Sequence, residues 1–523
     1  MGVAVLAAAL VTIVVLGACK SRAAVCGSVQ ERLRAAAPGA VVDLPNGCVY
    51  RESVDVNKPV TLVGGPGVWI KGSEVWTKWT KLPSGLYRSN ESVPVFPHRT
   101  KSGDPDQPLC EPEVGTKCGL PEQVFVDGTN LKQVGTEAEI SPGQSKFRLN
   151  GSNRVVMGVN PRGKTVEVSV RSYWLRGGNN VDNVTIQDIN FAHAANGGSA
   201  ALKNGAGGGA WAIKNCDIGW SASLNVSLNR ANAPGTRLLL ADNKIHHAGQ
   251  LGAAGGNESP LTVSGNEIYE NNVERFNQSW SAGGMKVSDP VDVVVNGNDI
   301  HHNTKGFWTD SGGENVTFTN NRVHHNLDAG VHFEITDDIV AHSNVLYENG
   351  WGSKRDLPYG EPAFKLVSVR NVDLHDNVLA WNEDSIVVIN SVRDNGIGAE
   401  DPRFDGVHDV RIHHNVIVSQ DQGEAKRDHY ALAWQKNGDV SRAICDQQRT
   451  TCLDEPDANN GGHDNRYWYP VSEGSGHRFL WKTKKFEKLN AFSRTRGEER
   501  GRYLSDAEKD RVLSAKGIPA NPE

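Results

Sequence analysis

Short runs in which apolar and polar residues alternate follow one another along the middle of the chain. Examples are "VDVVVNG", "NVTFTNN" and "NVDLHDN", each closed by a glycine or an asparagine. Alternation with a period of two is typical of a strand that buries one face. No helical period of 3.6 residues competes with it. The central region is therefore predicted to be a series of short strands separated by tight corners.

An asparagine recurs with these strands, as in "GNEIYEN", "GNDIHHN" and "NNRVHHN". The recurring positions are Asn215, Asn243, Asn266, Asn298, Asn321, Asn344 and Asn377. Three of the six steps are 23 residues long, and the others are 28, 32 and 33. A repeat this short cannot bury its own apolar face, so consecutive turns must stack. We predict an all-β solenoid, a parallel β-helix, with the asparagines stacked inside it as a ladder.

The flanking regions carry other patterns. A capping box at Ser28 and Glu31 opens a helical cap, and a second at Ser505 and Glu508 opens a tail helix. Hairpin signals in "QVFVDGTNL" and "FRLNGSNRVVMGV" predict a small β-rich insertion. The expected divisions are a cap with the first coils (25–74), the insertion (75–172), the β-helix with the site (173–440) and a C-terminal extension (441–523).

The N-terminus predicts export. Residues 1–24 contain the apolar run "GVAVLAAALVTIVVLGAC", which is short for a membrane span and suits the core of a signal segment. The tetrapeptide "LGAC" resembles a bacterial lipobox, in which cleavage exposes a cysteine that becomes lipidated, here Cys19. The alternative is an ordinary signal peptide cleaved near Ala24. Either route predicts a cell-surface lipoprotein or a secreted protein.

Composition narrows the class further. The 523 residues include 56 glycines and only 3 methionines, which indicates many turns and a thin core. The net charge of −6 offers no basic footprint for nucleic acid. Apart from Cys19, seven cysteines suggest three local disulfides in an oxidising compartment and one lone thiol, Cys216. The expected disulfides are Cys26–Cys48, Cys110–Cys118 and Cys445–Cys452.

Four consecutive strands carry residues suited to chemistry. They are "GMKVS" from residue 284, "GFWTD" from 306, "GVHFE" from 330 and "AFKLV" from 363. Strand alternation points the first and third positions after the small residue inward, so the second and fourth face outward. The outward positions form two columns across the coils: Lys286, Trp308, His332 and Lys365 in one, and Ser288, Asp310, Glu334 and Val367 in the other.

The second column places two carboxyl groups side by side. Neighbouring coils are about 4.8 Å apart, so Asp310 and Glu334 should lie roughly 5 Å from each other. Retaining glycosidases need about 5 to 5.5 Å between nucleophile and acid/base, whereas inverting enzymes need room for a water molecule. Trp308 is a candidate flat face for a sugar ring. Lys286, His332 and Lys365 are candidate hydrogen-bond partners for the hydroxyls or a carboxylate of the sugar.

A plainer interpretation is that two acids in register are solvated surface groups. The Trp, His and Lys residues beside them favour a site, because an ordinary surface would favour Thr, Ser and Asn. Two long segments, "NNVERFNQSWSAGGMK" and "WGSKRDLPYGEP", interrupt the 23-residue period and could wall a groove. Their candidate contacts are Glu274, Arg275, Trp280, Trp351, Arg355 and Tyr359.

Histidine doublets raise the question of a metal site. They stand at 246–247, 301–302, 324–325 and 413–414, each at a corner of a coil. Because the repeat itself explains their recurrence, we expect packed or solvated corner residues rather than metal ligands. No cofactor is expected, although a lyase would use Ca²⁺.

Several stretches together resemble a known family: "VWIKGSEVWTKW", "PEQVFVDGTNLKQV", "WSAGGMK", "GFWTD", "GVHFEI" and "GRYLSDAEKDRVLSAKGIPA". They are similar to bacterial right-handed parallel β-helix proteins of the pectate-lyase-like superfamily, and more narrowly to β-helix glycoside hydrolases of the β-xylosidase kind. The resemblance implies a right-handed parallel β-helix. It also implies Asp310 as nucleophile and Glu334 as acid/base.

The sequence therefore predicts a monomeric, exported enzyme that hydrolyses a polysaccharide or oligosaccharide with retention, and that meets a membrane only through a lipid anchor. One rival is a polysaccharide lyase or uronate epimerase, with Lys286, His332 or Lys365 as the base and Arg355 or Ca²⁺ at the uronate carboxylate. The other rival is a non-catalytic glycan-binding or surface-structural protein.

Overall fold

The structure is a computed structural model that describes residues 26–102, 108–229, 236–256, 258–352, 360–390, 407–420, 428–436, 458–470 and 476–522. These residues form a right-handed parallel β-helix, as the sequence predicts. Each coil contributes one strand to each of three long sheets. The described strands number 12 in the first sheet, 13 in the second and 13 in the third.

The first sheet runs the length of the helix. Its strands are Val41–Asp43, Val60–Val63, Val184–Gln187, Trp211–Lys214, Leu238–Ala241, Leu261–Ser264, Val291–Asn296, Glu314–Thr319, Asp337–His342, Arg370–His375, His408–His413 and Gly461–His463.

The second sheet follows the first within each coil. Its strands are Val49–Tyr50, Trp69–Lys71, Asn190–Ala194, Asp217–Ser221, Lys244–His246, Glu267–Tyr269, Asp299–His301, Arg322–His324, Val345–Tyr347, Val378–Ala380, Val416–Val418, Arg466–Trp468 and Arg502–Tyr503.

The third sheet carries the four strands that the sequence analysis singled out. Its strands are Val54–Val56, Leu175–Gly177, Ala200–Lys203, Leu224–Asn229, Leu251–Gly256, Gly283–Ser288, Phe307–Asp310, Val331–Glu334, Pro362–Val367, Asp384–Asn390, Leu432–Lys436, Phe479–Lys482 and Lys484–Phe486. The last strand is antiparallel to its neighbour.

The core lies inside the coils and consists of stacked apolar side chains. In the third sheet the inward positions hold residues such as Phe307, Phe333 and Phe364, all without solvent exposure. Phe333 and Phe364 stack with ring centroids 6.4 Å apart. Burying a phenylalanine side chain contributes roughly 1.5–3 kcal/mol, which explains why the alternation is kept coil after coil.

Two asparagine ladders run inside the corners, whereas the sequence predicts one. In the predicted ladder, Asn298 Nδ2 donates to Asn321 Oδ1 at 2.9 Å, and Asn321 Nδ2 donates to Asn344 Oδ1 at 3.1 Å. Asn215 is not a member, because the equivalent position is Cys216, whose N–H bonds Asn243 Oδ1. The second ladder consists of Asn271, Asn303, Asn326, Asn349 and Asn382.

The insertion forms two small sheets beside the first coils. One contains Ser73–Val75, Val124–Val126, Thr129–Asn130 and Val166–Ser169; the other contains Trp79–Lys81, Tyr87–Ser89, Lys132–Gln133, Lys146–Leu149 and Val155–Met157. Three short 3₁₀ helices accompany them, at Pro112–Val114, Lys117–Gly119 and Glu137–Glu139. A buried carboxylate connects the insertion to the coils: Glu167 forms ion pairs with Arg51 at 2.8 Å and with Lys71 at 3.1 Å.

Helices pack at the N-terminal end of the solenoid and beside its later coils. The first, Val29–Ala35, buries Val29 and Leu33 against the first coils. The final helix, Asp506–Ala515, starts at the predicted capping box of Ser505 and Glu508. A short helix, Leu489–Phe492, precedes it. In the described part of the chain, no helix combines the length and apolar character needed to cross a membrane.

The solenoid continues beyond residue 440, the end predicted for it from the sequence. Gly461–His463, Arg466–Trp468, Phe479–Lys482 and Arg502–Tyr503 still pair with the three sheets. The ladder step from Asn415 to Asn465 spans 50 residues, so long intervening segments conceal the repeat in the sequence.

The described cysteines follow the predicted pairing. Disulfides join Cys26 to Cys48 and Cys110 to Cys118, with Cα–Cα distances of 5.5 and 5.8 Å. Cys216 is a buried thiol, and burial raises its pKa to about 12, so it stays protonated. Residues 1–24, including Cys19, and the pair Cys445 and Cys452 lie outside the described residues.

Candidate active site

The four strands form the predicted outward columns. Lys286 pairs in register with Trp308, Trp308 with His332, and His332 with Lys365. Ser288 pairs with Asp310 in the next column. These side chains stand on the outer face of the third sheet, as strand alternation requires.

The two carboxylates occupy adjacent coils. Thr309 pairs with Phe333, so the following residues, Asp310 and Glu334, continue the same register. Neighbouring parallel strands lie about 4.8 Å apart, which sets the scale of the separation between these two positions. Both side chains lean into a polar cluster instead of extending into solvent.

Asp310 is held by a cation and a backbone amide. Lys286 Nζ donates to Asp310 Oδ2 at 2.7 Å, and the N–H of Ser311 donates to Asp310 Oδ1 at 2.7 Å. Ser311 has a φ of 76°, and this left-handed turn directs its N–H back to the carboxylate. The Asp310 side chain is 18% exposed, so one end of the cluster remains open.

Glu334 is more deeply placed. The indole Nε1 of Trp308 donates to Glu334 Oε2 at 3.0 Å, and His332 Nε2 lies 3.8 Å from the same oxygen. The carboxyl therefore faces the Trp308 and His332 side chains. The two acids have different surroundings: an ammonium group holds Asp310, and an indole N–H holds Glu334.

Trp308 does not present an open face for a sugar ring, contrary to the prediction. Its exposed fraction is 6%. Lys286 Nζ lies 3.6 Å from the ring centroid, and His332 stacks on the ring with centroids 5.4 Å apart. Trp308 is therefore a spacer between two cationic or polar neighbours and a donor to Glu334.

Lys305 and Asp328 also belong to the cluster, although neither is among the residues predicted from the sequence. Lys305 Nζ lies 4.1 Å from the Trp308 ring centroid, 3.4 Å from His332 Nδ1 and 3.8 Å from Asp328 Oδ2. Both residues are buried. They precede the strands, at corners outside the alternating positions, so the strand alternation in the sequence gives no signal for them.

Lys365 lies at the far end of its column and is buried. Its Nζ donates to both carboxylate oxygens of Glu361, at 2.9 and 3.3 Å. Nearby, Asp384 accepts hydrogen bonds from the N–H groups of Gly360 and Tyr430, and burial raises the pKa of Asp384 well above its usual range. This end of the site is a closed polar core.

At the opposite end the columns open into a pocket of about 270 Å³. Lys286 and Ser288 line it, together with Trp280 and two residues that the sequence analysis missed, Arg99 and Gln250. Arg99 comes from the insertion. The part of the insertion that follows Arg99 packs on the long coil: Leu109, Cys110 and Cys118 contact Phe276 and Ala282. The pocket wall is therefore shared between the insertion and the long coil that contains Trp280.

The remaining predicted contacts are dispersed. Arg275 forms an ion pair with Glu113 of the insertion and does not line the pocket. Burial raises the pKa of the nearby Glu274 to about 7. Trp351 is half-exposed and donates from Nε1 to the carbonyl of Trp381 at 2.8 Å. Arg355 and Tyr359 lie outside the described residues.

The histidine doublets have one shared geometry. In all four, the two Nδ1 atoms lie 2.7 to 2.8 Å apart and share a hydrogen bond. His413, His414 and His463 form a group whose candidate ligand atoms lie within 4.8 Å of one another. Because the doublet geometry recurs at the other corners, it reflects the packing of the repeat.

Comparison with known proteins supports the architecture. The sequence profile described as a right-handed β-helix region matches residues 199–377. The fold is that of right-handed β-helix proteins. A structure described as XylC in complex with xylose superposes with a TM-score of 0.57 at 15% identity, over 91% of this chain and 82% of that one.

Two other similar structures are more distant. One, described as a glycoside hydrolase, has a TM-score of 0.45 at 11% identity, over 66% of this chain and 88% of that one. The periplasmic alginate epimerase AlgG has a TM-score of 0.34 at 10% identity, over 91% and 83%. No curated protein matches the chain by sequence. At these identities the likeness concerns the fold.

Proposed function

We propose that the protein is an exported carbohydrate-active enzyme that hydrolyses a glycosidic bond with retention of configuration. The observation that carries this proposal is the pair Asp310 and Glu334, in one column on adjacent coils. Asp310 adjoins a pocket, because its neighbours Lys286 and Ser288 line it. A strand spacing of about 4.8 Å suits the roughly 5 to 5.5 Å of retaining enzymes better than the 6.5 to 9.5 Å of inverting ones.

The surroundings of the two acids support their separate roles. Asp310 carries an ion pair with Lys286 and a hydrogen bond from Ser311, which fix the position of a negatively charged nucleophile. In the first step Asp310 attacks the anomeric carbon while Glu334 protonates the leaving oxygen. In the second step Glu334 removes a proton from water, which displaces Asp310 from the sugar.

The disulfides support export. Cys26–Cys48 and Cys110–Cys118 are bonds that persist in oxidising compartments. Similarity to XylC with xylose and to a glycoside hydrolase suggests a polysaccharide or oligosaccharide as the substrate. Lipidation of Cys19 and a monomeric state remain predictions from the sequence.

The test is a panel of aryl glycosides and oligosaccharides, assayed with the wild type, Asp310→Asn and Glu334→Gln. We expect each substitution to lower the hydrolytic rate by about 10²- to 10⁴-fold. The matched control is Glu314→Gln, which removes an exposed acid of the first sheet. Unchanged hydrolysis in either site variant would refute the proposal, and unchanged binding without any turnover would indicate a glycan-binding protein.

A lyase or epimerase is the second candidate, because cationic side chains gather at the same place. Lys286 and Lys305 both lie over Trp308, and His332 stacks on it. A lyase abstracts the proton next to a uronate carboxylate and leaves an unsaturated, UV-absorbing sugar end. The same panel, read for UV absorbance as well as for reducing ends, separates this reaction from hydrolysis. Ca²⁺ dependence would be expected only for the lyase.

A further inference from the structure

Arg99 differs from the other cations around the pocket because no carboxylate among the described residues pairs with it. Its Nη1 donates to the amide oxygen of Gln250 at 3.1 Å, and its guanidinium carbon lies 4.1 Å from the ring centroid of Trp280. In the described part of the chain, no Asp or Glu forms an ion pair with Arg99. By contrast, Lys286 pairs with Asp310 and Arg275 with Glu113.

The position of this guanidinium is fixed before any ligand arrives. The N–H of Arg99 donates to the carbonyl of Gly119 at 3.0 Å, next to the Cys110–Cys118 disulfide. On the other side, Gly198 has a φ of +127°, and a Cβ there would lie 3.1 Å from Arg99 Nη1. The absence of a side chain at Gly198 therefore makes room for the guanidinium, and Trp280 supports its face.

The pocket links this cation to the carboxylate pair. Arg99 and Gln250 line it together with Lys286 and Ser288, and Ser288 lies beside Asp310 in the register of the sheet. The other polar lining groups are hydroxyls and amides, from Ser227, Asn229 and Ser281, and the described residues that line the pocket include no Asp or Glu. The pocket therefore offers a positive charge that a ligand can neutralise.

We propose that this pocket is a subsite for a uronic acid residue of the glycan substrate, with Arg99 as the group that recognises its carboxylate. The inference rests on the proposed function only in assuming that the groove binds a glycan. A planar guanidinium binds a carboxylate through two parallel hydrogen bonds, and these are stronger than bonds between neutral groups. The lining serines, Ser227, Ser281 and Ser288, supply hydroxyl partners for the sugar hydroxyls.

The experiment measures binding, so it does not depend on turnover. Glu334→Gln is used as the background, because it removes the proposed acid/base and leaves the Lys286–Asp310 ion pair intact. Calorimetry compares two oligosaccharides that share one backbone, with and without a single uronic acid unit. We expect the acidic ligand to bind at least about 10-fold more tightly than the neutral one. Its affinity should fall as the salt concentration is raised.

Arg99→Gln tests the assigned residue. It should weaken binding of the acidic ligand by roughly 10- to 100-fold and change binding of the neutral ligand by less than about 3-fold. Arg99→Lys keeps the positive charge but lacks the planar guanidinium. It should therefore retain part of the affinity for the acidic ligand that Arg99→Gln loses. The matched control is Arg511→Gln, which removes an exposed arginine from the final helix and should change neither affinity.

Three results would overturn the proposal: equal binding of the two ligands, an equal loss of both in Arg99→Gln, or binding of neither. Equal loss would show that Arg99 only supports the wall. Failure of the subsite proposal can be distinguished from failure of the proposed function. Hydrolysis by the wild type without preference for the acidic ligand would remove the subsite alone, and Arg99-dependent binding without hydrolysis would remove the hydrolase alone.

Discussion

The first and third sheets are built from the same coils, yet their outer faces differ. At matching outward positions the first sheet holds Val294, Thr317, Val340 and Asp373, and Val340 is 39% exposed. The third sheet holds Lys286, Trp308, His332 and Lys365, which are largely covered. Strand alternation decides which side chains point outward, and the covering segments decide which of these become a site.

The ion pairs show the same contrast. On the first sheet, Arg411 lies 3.5 Å from Asp373, and the two side chains are 59% and 31% exposed. Beside the third sheet, at the corners that precede two of its strands, the pair of Lys305 and Asp328 is buried. Exposed pairs contribute about 0–1 kcal/mol, whereas removing one partner of a buried pair costs about 3–5 kcal/mol. Of these two ion pairs, the buried one beside the covered face is therefore expected to matter more for stability.

The largest effect is expected for Lys305→Met, because it leaves the Asp328 carboxylate buried without this cation. The free energy of unfolding should fall by about 3–5 kcal/mol. Arg411→Met, the equivalent loss on the open face, should cost less than about 1 kcal/mol. Denaturant titration of both variants measures the difference, and equal losses would show that the two faces do not differ.

A smaller effect is expected from a carboxyl group away from both faces. Glu498 accepts hydrogen bonds from Tyr467 at 2.6 Å and from Asn465 at 2.7 Å, at the end of the first ladder, and burial raises its pKa to about 7. Its protonated form is favoured in the folded state, so its contribution to stability is complete below about pH 4.5 and is lost as the pH rises to about 7.

The change over this range should amount to about 3 kcal/mol. Stability curves at pH 4.5 and 7.5 should therefore diverge less in Glu498→Gln than in the wild type. An identical pH dependence in the two proteins would rule out this group as the cause.

Much of the site was predictable from the sequence, because a solenoid repeats its geometry. A period of two and a step of one coil are enough to place Asp310 next to Glu334 and to sort inward from outward residues. These two regularities alone predict the columns.

The rest of the site depends on long-range packing that no repeat encodes. Arg99 reaches the pocket from the insertion, and its distance along the chain from Lys286 gives no signal of their proximity. The burial of Trp308 arises from Lys286 and His332 on neighbouring coils. Cys216 replaces an asparagine in the ladder, and the neighbouring Asn215 conceals the substitution.

A moderate effect is expected for the ladder that both faces share. Asn321→Ala removes the acceptor of Asn298 Nδ2 and the donor to the carbonyl of Val295. The buried groups left unsatisfied should lower the free energy of unfolding by about 1–3 kcal/mol. Asn490→Ala, at an exposed position of a short helix, should change it by less than about 0.5 kcal/mol. A loss for Asn490→Ala as large as that for Asn321→Ala would contradict the ladder's role.

The smallest effect is expected for Val340→Thr on the outer face of the first sheet. Its side chain contacts solvent, and threonine also suits a strand. Stability should change by less than about 0.5 kcal/mol, and the hydrolytic rate should not change. A substantial loss of activity would extend the site to the first sheet and remove the contrast between the faces.

The central claim, that Asp310 and Glu334 act as a retaining pair, is tested most directly by trapping the covalent intermediate. A 2-deoxy-2-fluoro glycoside of the sugar that the panel shows to be hydrolysed slows the second step, and mass spectrometry then locates the adduct. We predict one sugar adduct on the peptide that carries Asp310, and none in Asp310→Asn. Hydrolysis that releases the inverted anomer, or an adduct on any other residue, would contradict the account.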